Sequence, residues 1–137
     1  MPEQVVSSTL LDFARSARES AYAPYSRFQV GAALQTKDGR VFQGCNVENA
    51  SYGLCNCAER TALFSAIAAG CKPGDFRAIA VIADTPEPVT PCGACRQVLI
   101  ELCAGDMPVL LANVAGATRQ TTVDALLPDG FLLHPSR

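Results

Sequence analysis

The sequence predicts a layered α/β domain, with helices covering a mixed sheet, and three observations carry that expectation. Near the N-terminus, Val6, Leu10, Phe13, Ala14, Ala17 and Ala21 repeat with a helical period. Two runs of strand formers, 28–34 and 41–47, enclose the turn signal Lys37-Asp38-Gly39-Arg40 and predict a hairpin. Further strand-like runs at 77–84 and 107–114 are separated by a helical pattern, the alternation that builds layered sheets. The 137 residues suit a single domain over 1–137 with a modest core.

Each element has a local reason. The first helix should break at Ala23-Pro24, with Arg15, Arg18 and Glu19 on its solvated face. An alanine-rich helix over 58–69 is stopped by Gly70, a residue suited to the left-handed position after a helix. The run 77–84 is almost continuously apolar, as a central strand covered on both faces must be. Thr85-Pro86-Glu87-Pro88-Val89-Thr90-Pro91 holds too many prolines for a helix and predicts a rigid loop into the next helix, which continues through 98–103. After the strand 107–114, Ala115-Gly116-Ala117 is long enough only for a reversal, because a parallel return needs a dozen or more residues. The last strand, 118–123, should therefore be antiparallel, and a short helix over 123–127 is stopped by Pro128.

Composition narrows the function classes. A net charge of −2 with no run of lysine or arginine gives no phosphate-tracking surface, so nucleic acid is not expected as a partner. No signal peptide and no apolar span of transmembrane length are evident, which predicts a soluble, cytoplasmic protein without a membrane partner. Seven cysteines are an odd number. With three assigned to metal below, Cys45, Cys55, Cys71 and Cys103 read as reduced, small packing residues of a reducing compartment. The chain is 49% hydrophobic and 18% charged, against roughly 25% charged for an average domain, so some apolar surface should be hidden in interfaces between copies.

The chemistry-bearing residues fall in two segments, Cys57-Ala58-Glu59-Arg60 and Pro91-Cys92-Gly93-Ala94-Cys95-Arg96. Together they supply three thiolates and a carboxylate. A catalytic zinc takes three protein ligands, with Zn–S of about 2.3 Å, and keeps a fourth position for water. Cys57, Cys92 and Cys95 fill three places, one Zn2+ per chain. Cys92 and Cys95 occupy the cap and third positions of a helix's first turn, so their sulfurs can converge. Glu59 would turn away from Cys57 inside a regular helix. With Cys57 at the cap in a non-helical conformation, it can reach the metal's water and serve as proton shuttle. Three thiolates leave the metal with net negative charge, so something must withdraw it. Two helix N-termini and the guanidinium groups of Arg60 and Arg96, bonded to the sulfurs or to neighbouring carbonyls, are the candidates. A structural zinc ribbon with Cys55 as fourth ligand, or a redox dithiol, would use the same Cys-x-x-Cys. Neither accounts for Glu59.

Gly44-Cys45-Asn46-Val47-Glu48-Asn49-Ala50-Ser51-Tyr52, Cys57-Ala58-Glu59-Arg60-Thr61-Ala62 and Pro91-Cys92-Gly93-Ala94-Cys95-Arg96-Gln97 resemble the short, homotetrameric, zinc-dependent cytidine deaminases. The likeness runs over about residues 10–131, nearly the whole chain. It implies a three-layer α/β/α domain with a mixed five-stranded sheet and the last strand antiparallel. It also implies hydrolysis of cytidine and 2′-deoxycytidine, nucleoside substrates of pyrimidine salvage, with release of ammonia by zinc-activated water. By that resemblance Phe28 packs on the base, Asn46 and Glu48 hold the ribose hydroxyl groups, and the backbone N–H of Ala58 faces the base carbonyl. Tyr52 and Phe131 would reach a neighbouring subunit's pocket, with His134 in the tail beyond. In a strand-like stretch Asn46 and Glu48 share a side, which by itself fits an exposed strand end equally well. The rival readings are a deaminase of another aminopyrimidine compound such as blasticidin S, a polynucleotide-editing deaminase, and a non-enzymatic zinc-binding module.

Overall fold

The computed structural model describes residues 3–133, with side chains from residue 8, so the side chain of Val6 and His134 lie outside the described residues. In chain order the elements are α1 (Glu3–Arg18), β1 (Val30–Thr36), β2 (Val41–Cys45), α2 (Ala58–Ala68), β3 (Phe76–Ala83), α3 (Gly93–Leu102), β4 (Pro108–Asn113), β5 (Thr118–Thr122) and α4 (Val123–Leu126). The five strands form one sheet in the order β2-β1-β3-β4-β5. Only β3 and β4, joined through α3, run parallel; β1 with β2, β1 with β3 and β4 with β5 are antiparallel. The reversal at residues 115–117 thus does what its length requires.

Alternation along β3 divides the core into two layers. Ala78, Ala80 and Ile82 face α1, where Leu10 and Ala14 pack with Ala33. Ile79, Val81 and Ala83 face the opposite side with Leu34, Leu63 of α2 and Leu99 of α3. The expected three-layer arrangement of helix, mixed sheet and helix is therefore present, its central strand buried on both faces. Two glycines set how closely the helices approach. A Cβ on Gly31 would lie 2.0 Å from the Ala14 carbonyl oxygen, and one on Gly44 would lie 2.3 Å from the Ala58 carbonyl oxygen. The backbone of α2 therefore lies directly on β2 at the turn where Cys57 and Glu59 begin.

Three local expectations shift. α1 ends at Arg18, before Ala23-Pro24, because Tyr22 leaves the helical path: its N–H donates to the Asn46 carbonyl and its carbonyl accepts from the Glu48 N–H. Phe13 is exposed, since the buried stripe runs through Leu10, Ala14 and Ala17. The first strand starts at Val30 instead of residue 28, because the peptide groups of Phe28 bond to side chains of Ser26 and Asn46 and not to a neighbouring strand. The stop at Gly70 holds, with φ of 102° and the Cys71 N–H returning to the Ala66 carbonyl. No helix among the described residues is long and apolar enough to cross a membrane.

Candidate active site

The sheet brings two distant segments to one edge. Cys45 pairs with Gly31, Gly31 with Ile82, and Ile82 with Ala112, so β2, β3 and β4 all finish at the same end of the sheet. α2 and α3 both start from that end, which is where open α/β sheets commonly place their sites. The strand-like stretch after β2 stays close: Val47 bridges Tyr22 on one side and Asn56 on the other.

Cys57 caps α2 with φ −77° and ψ 158°, and Cys92 caps α3 with φ −69° and ψ 170°. These extended conformations at the caps, not helical spacing, aim both sulfurs at a common point. Sγ of Cys57 and Sγ of Cys92 are 3.6 Å apart, as are those of Cys92 and Cys95. Tetrahedral zinc with Zn–S of about 2.3 Å requires about 3.8 Å between sulfurs, so the triad fits that ion with little adjustment. All three sulfurs lie within 4.8 Å of one another, the one such group of potential ligands among the described residues. Cys55 is not part of it: its sulfur accepts from the Asn49 N–H at 3.3 Å and lies 3.5 Å from the Asn49 carbonyl oxygen. The potential ligands that converge are thus three sulfurs, the number an open zinc site takes.

Positive charge is arranged around the sulfurs by the chain itself. Nη2 of Arg60 donates to Sγ of Cys57 at 3.4 Å, while its buried Nε has no partner among the described residues. The Cys95 thiol and Arg60 pull Cys57 down to about 5, against the opposing effect of burial. The same contact with Cys57, together with burial, pushes Cys95 up. Sulfurs this close can all lose their protons only with a cation between them, and two helix N-termini add partial positive charge to the same point. Arg96 takes the other expected route. It donates to the Pro91 carbonyl at 2.8 Å and the Leu126 carbonyl at 2.7 Å, and so ties the proline loop and α4 to the start of α3.

Glu59 is 4% exposed. Burial pushes its carboxyl up to about 7, and the Cys57 charge adds to that; its own backbone N–H, Arg60 and a hydrogen bond with the Cys95 thiol pull the other way. The carboxyl therefore sits at the sulfur cluster, poised near neutrality. Ala58, wholly buried, occupies the first turn of α2, whose leading N–H groups have no partner within the helix.

Asn46 and Glu48 are half-buried and already bonded. Asn46 accepts from the Val30 N–H at 2.8 Å and donates to the Phe28 carbonyl at 2.7 Å. One oxygen of Glu48 accepts the N–H groups of Tyr25 and Ser26 at 3.0 and 3.1 Å, and the other accepts the Ser26 hydroxyl. These contacts, with the Ser26 hydrogen bond leading, hold Glu48 below the usual carboxylate range. Phe28 is exposed beside them, whereas Tyr52, 84% exposed, and Phe131, 69% exposed, project from the surface.

Several residues escaped sequence reasoning. Ser26 sits outside the quoted motifs, and nothing in its neighbours signals a contact 22 positions away. Gln97 donates to the Phe131 carbonyl at 2.9 Å and anchors the C-terminal segment on α3. Asn56 donates to the Thr61 hydroxyl, which donates to the Cys57 carbonyl, and this brace sets the cap. Thr61 and Gln97 lie inside the motifs, so their identity was available although their partners were not.

The chain is similar to known proteins over most of its length. A family model for the cytidine and deoxycytidylate deaminase zinc-binding region matches residues 5–111. The cytidine deaminase of Halalkalibacterium halodurans is 61% identical over 122 residues, covering 89% of this chain and 91% of that one. That of Sporosarcina psychrophila is 54% identical over 122 residues, covering 89% and 88%. In the crystal structure of cytidine deaminase from Burkholderia pseudomallei, 61% identical, the chain is matched with a TM-score of 0.90 over 96% of this chain and 100% of that one. A dCMP deaminase from cyanophage S-TIM5, at 15% identity and a TM-score of 0.58, shares the fold.

Proposed function

The chain belongs to the zinc-dependent cytidine and deoxycytidylate deaminase family, and from that premise we propose that it hydrolyses cytidine and 2′-deoxycytidine to uridine and 2′-deoxyuridine with release of ammonia, a step of pyrimidine salvage. The observation that carries the reading is a buried carboxyl, Glu59, that interacts with Cys57 and Cys95, two of three converging sulfurs. Cys57, Cys92 and Cys95 would hold the zinc, one per chain in a single domain. Bound there, zinc supplies Lewis-acid activation of water at neutral pH.

The rest of the chemistry belongs to the chain. Glu59 takes a proton from the attacking water and gives it to N3 of the base as the water oxygen bonds to C4. It then carries the second proton of that water to the amino group; the C4–N4 bond breaks, ammonia leaves and C4 becomes a carbonyl. Burial, which favours the protonated form, suits a group that must donate as well as accept in one turnover. The Ala58 N–H faces the base carbonyl, Phe28 packs on the ring, and Asn46 with Glu48 holds the ribose. Their existing bonds leave room for this, since a carboxylate has about four acceptor positions and Glu48 uses three. Arg60 offsets the charge of the sulfurs directly, and Arg96 braces the loop and helices around them.

Four copies of the chain assemble, with Tyr52 and Phe131 entering neighbouring pockets. Support comes from their exposure and from Leu54 and Leu133, 70% and 74% exposed near them in sequence. The protein would work in a reducing cytoplasm, where Cys45, Cys55, Cys71 and Cys103 stay thiols and Cys57, Cys92 and Cys95 are available to the metal. An absorbance assay over cytidine, 2′-deoxycytidine, cytosine, cytidine monophosphate and blasticidin S tests the function. Turnover of the two nucleosides well above the others is expected; preference for blasticidin S, or no turnover by zinc-loaded protein, would overturn it.

A further inference from the structure

The loop 23–29 is shaped by one hydroxyl. Ser26 Oγ donates to Glu48 and accepts from the Phe28 N–H at 3.0 Å, so it uses its proton and one lone pair on two separate residues. The Phe28 carbonyl is held by Asn46 at 2.7 Å, so both backbone polar groups of that residue are bonded to side chains. Between Ser26 and Phe28, Arg27 has φ of 61°, a left-handed conformation that a non-glycine residue keeps only when its surroundings impose it. The Arg27 N–H closes the turn on the Ala23 carbonyl. An ordinary turn needs only that backbone bond. The side-chain bonds of Ser26 go further and join the carboxylate to the aromatic residue.

We infer that Ser26 is a positioning residue for nucleoside binding, fixing the free acceptor position of Glu48 and the ring of Phe28 relative to each other. The inference rests on the reading above, in which Glu48 meets the ribose and Phe28 the base. Both acceptor positions of the first Glu48 oxygen are taken by the N–H groups of Tyr25 and Ser26. The second oxygen keeps one, and the Ser26 hydroxyl decides where it points. Without that hydroxyl the carboxylate keeps its amide bonds on one oxygen only, and the Phe28 N–H loses its acceptor. The pocket then remains chemically complete while its two contacts drift apart. Because Ser26 lies far along the chain from the sulfur ligands and belongs to neither metal-bearing helix, metal binding and proton transfer should be untouched.

The test compares Ser26→Ala, Ser26→Thr, Glu48→Ala and the Ser26→Ala/Glu48→Ala double variant as zinc-loaded proteins, measuring kcat and KM for cytidine, zinc per chain and thermal midpoint. Ser26→Ala should raise KM about tenfold, the effect of one charge-assisted hydrogen bond, with kcat within about threefold and one zinc retained. Ser26→Thr, which restores a hydroxyl, should recover most of that loss. In the double variant the two effects on KM should be less than multiplicative, since one acts through the other. An unchanged KM in Ser26→Ala beside a raised KM in Glu48→Ala overturns the inference and leaves the ribose reading standing. Multiplicative effects, or a Ser26→Ala protein that loses zinc and kcat together, also overturn it. An unchanged KM in Glu48→Ala overturns the ribose reading itself, and the inference with it.

Discussion

Replacing Glu59 with glutamine should remove turnover and, in zinc-free protein, shift stability relative to the parent with a pH dependence set by the carboxyl's burial. In the folded chain the carboxyl is held near 7, against 4.5 for a free one. At about 1.4 kcal/mol per pH unit, keeping it ionised in the fold costs about 3 kcal/mol. The sign follows from proton binding. Between 4.5 and 7 the folded state binds more protons than the unfolded state, so the carboxyl's favourable contribution, complete below 4.5, is lost as pH rises through 7. Glutamine does not titrate, and any cost of burying its amide is independent of pH. The difference in unfolding free energy between the variant and the parent should therefore grow by about 3 kcal/mol from pH 4.5 to pH 8, whatever its starting value. Denaturant titrations of both chelated proteins at a series of pH values measure this. Turnover by the zinc-loaded variant should fall at least about 10²- to 10⁴-fold, the usual contribution of a general acid–base group. A gap that does not change with pH would refute the burial argument, and a variant keeping a tenth of the parent rate would refute the shuttle.

Three further outcomes are expected. Cys92→Ala should lose zinc by metal analysis while Cys55→Ala keeps one per chain, because the Cys55 sulfur is engaged with Asn49; equal zinc in both would contradict the three-sulfur site. Gly44→Ala should destabilise the protein by about 1–3 kcal/mol or more in denaturant unfolding and lower its zinc content, because the new methyl would meet the Ala58 carbonyl oxygen at 2.3 Å; a neutral substitution would mean α2 can retreat from β2 freely. Sedimentation should give four chains per particle, and Phe131→Ala should weaken nucleoside binding without loss of zinc; a fully active monomer at assay concentration is the contrary result.

Much was determined by sequence alone, because local physics acts over short spans. The apolar run of β3, the stop at Gly70 and the short link before β5 each require one local structure, and the folded chain has them. The spacing within Cys92-Gly93-Ala94-Cys95 likewise commits two sulfurs to one helical turn. Tertiary structure decided what depends on distant partners. It ended α1 at Arg18 by pairing Tyr22 with the segment after β2, and it exposed Phe13 on a helix whose period had suggested burial. It set the Cys57 sulfur 3.6 Å from that of Cys92, 35 positions away, by finishing β2 and β3 at one edge of the sheet. It sent Arg96 to two carbonyls and Arg60 to a sulfur, a choice that side-chain identity leaves open. Periodicity and turn chemistry are carried by neighbours along the chain, whereas hydrogen bonds such as that of Ser26 to Glu48 depend on which strands lie side by side.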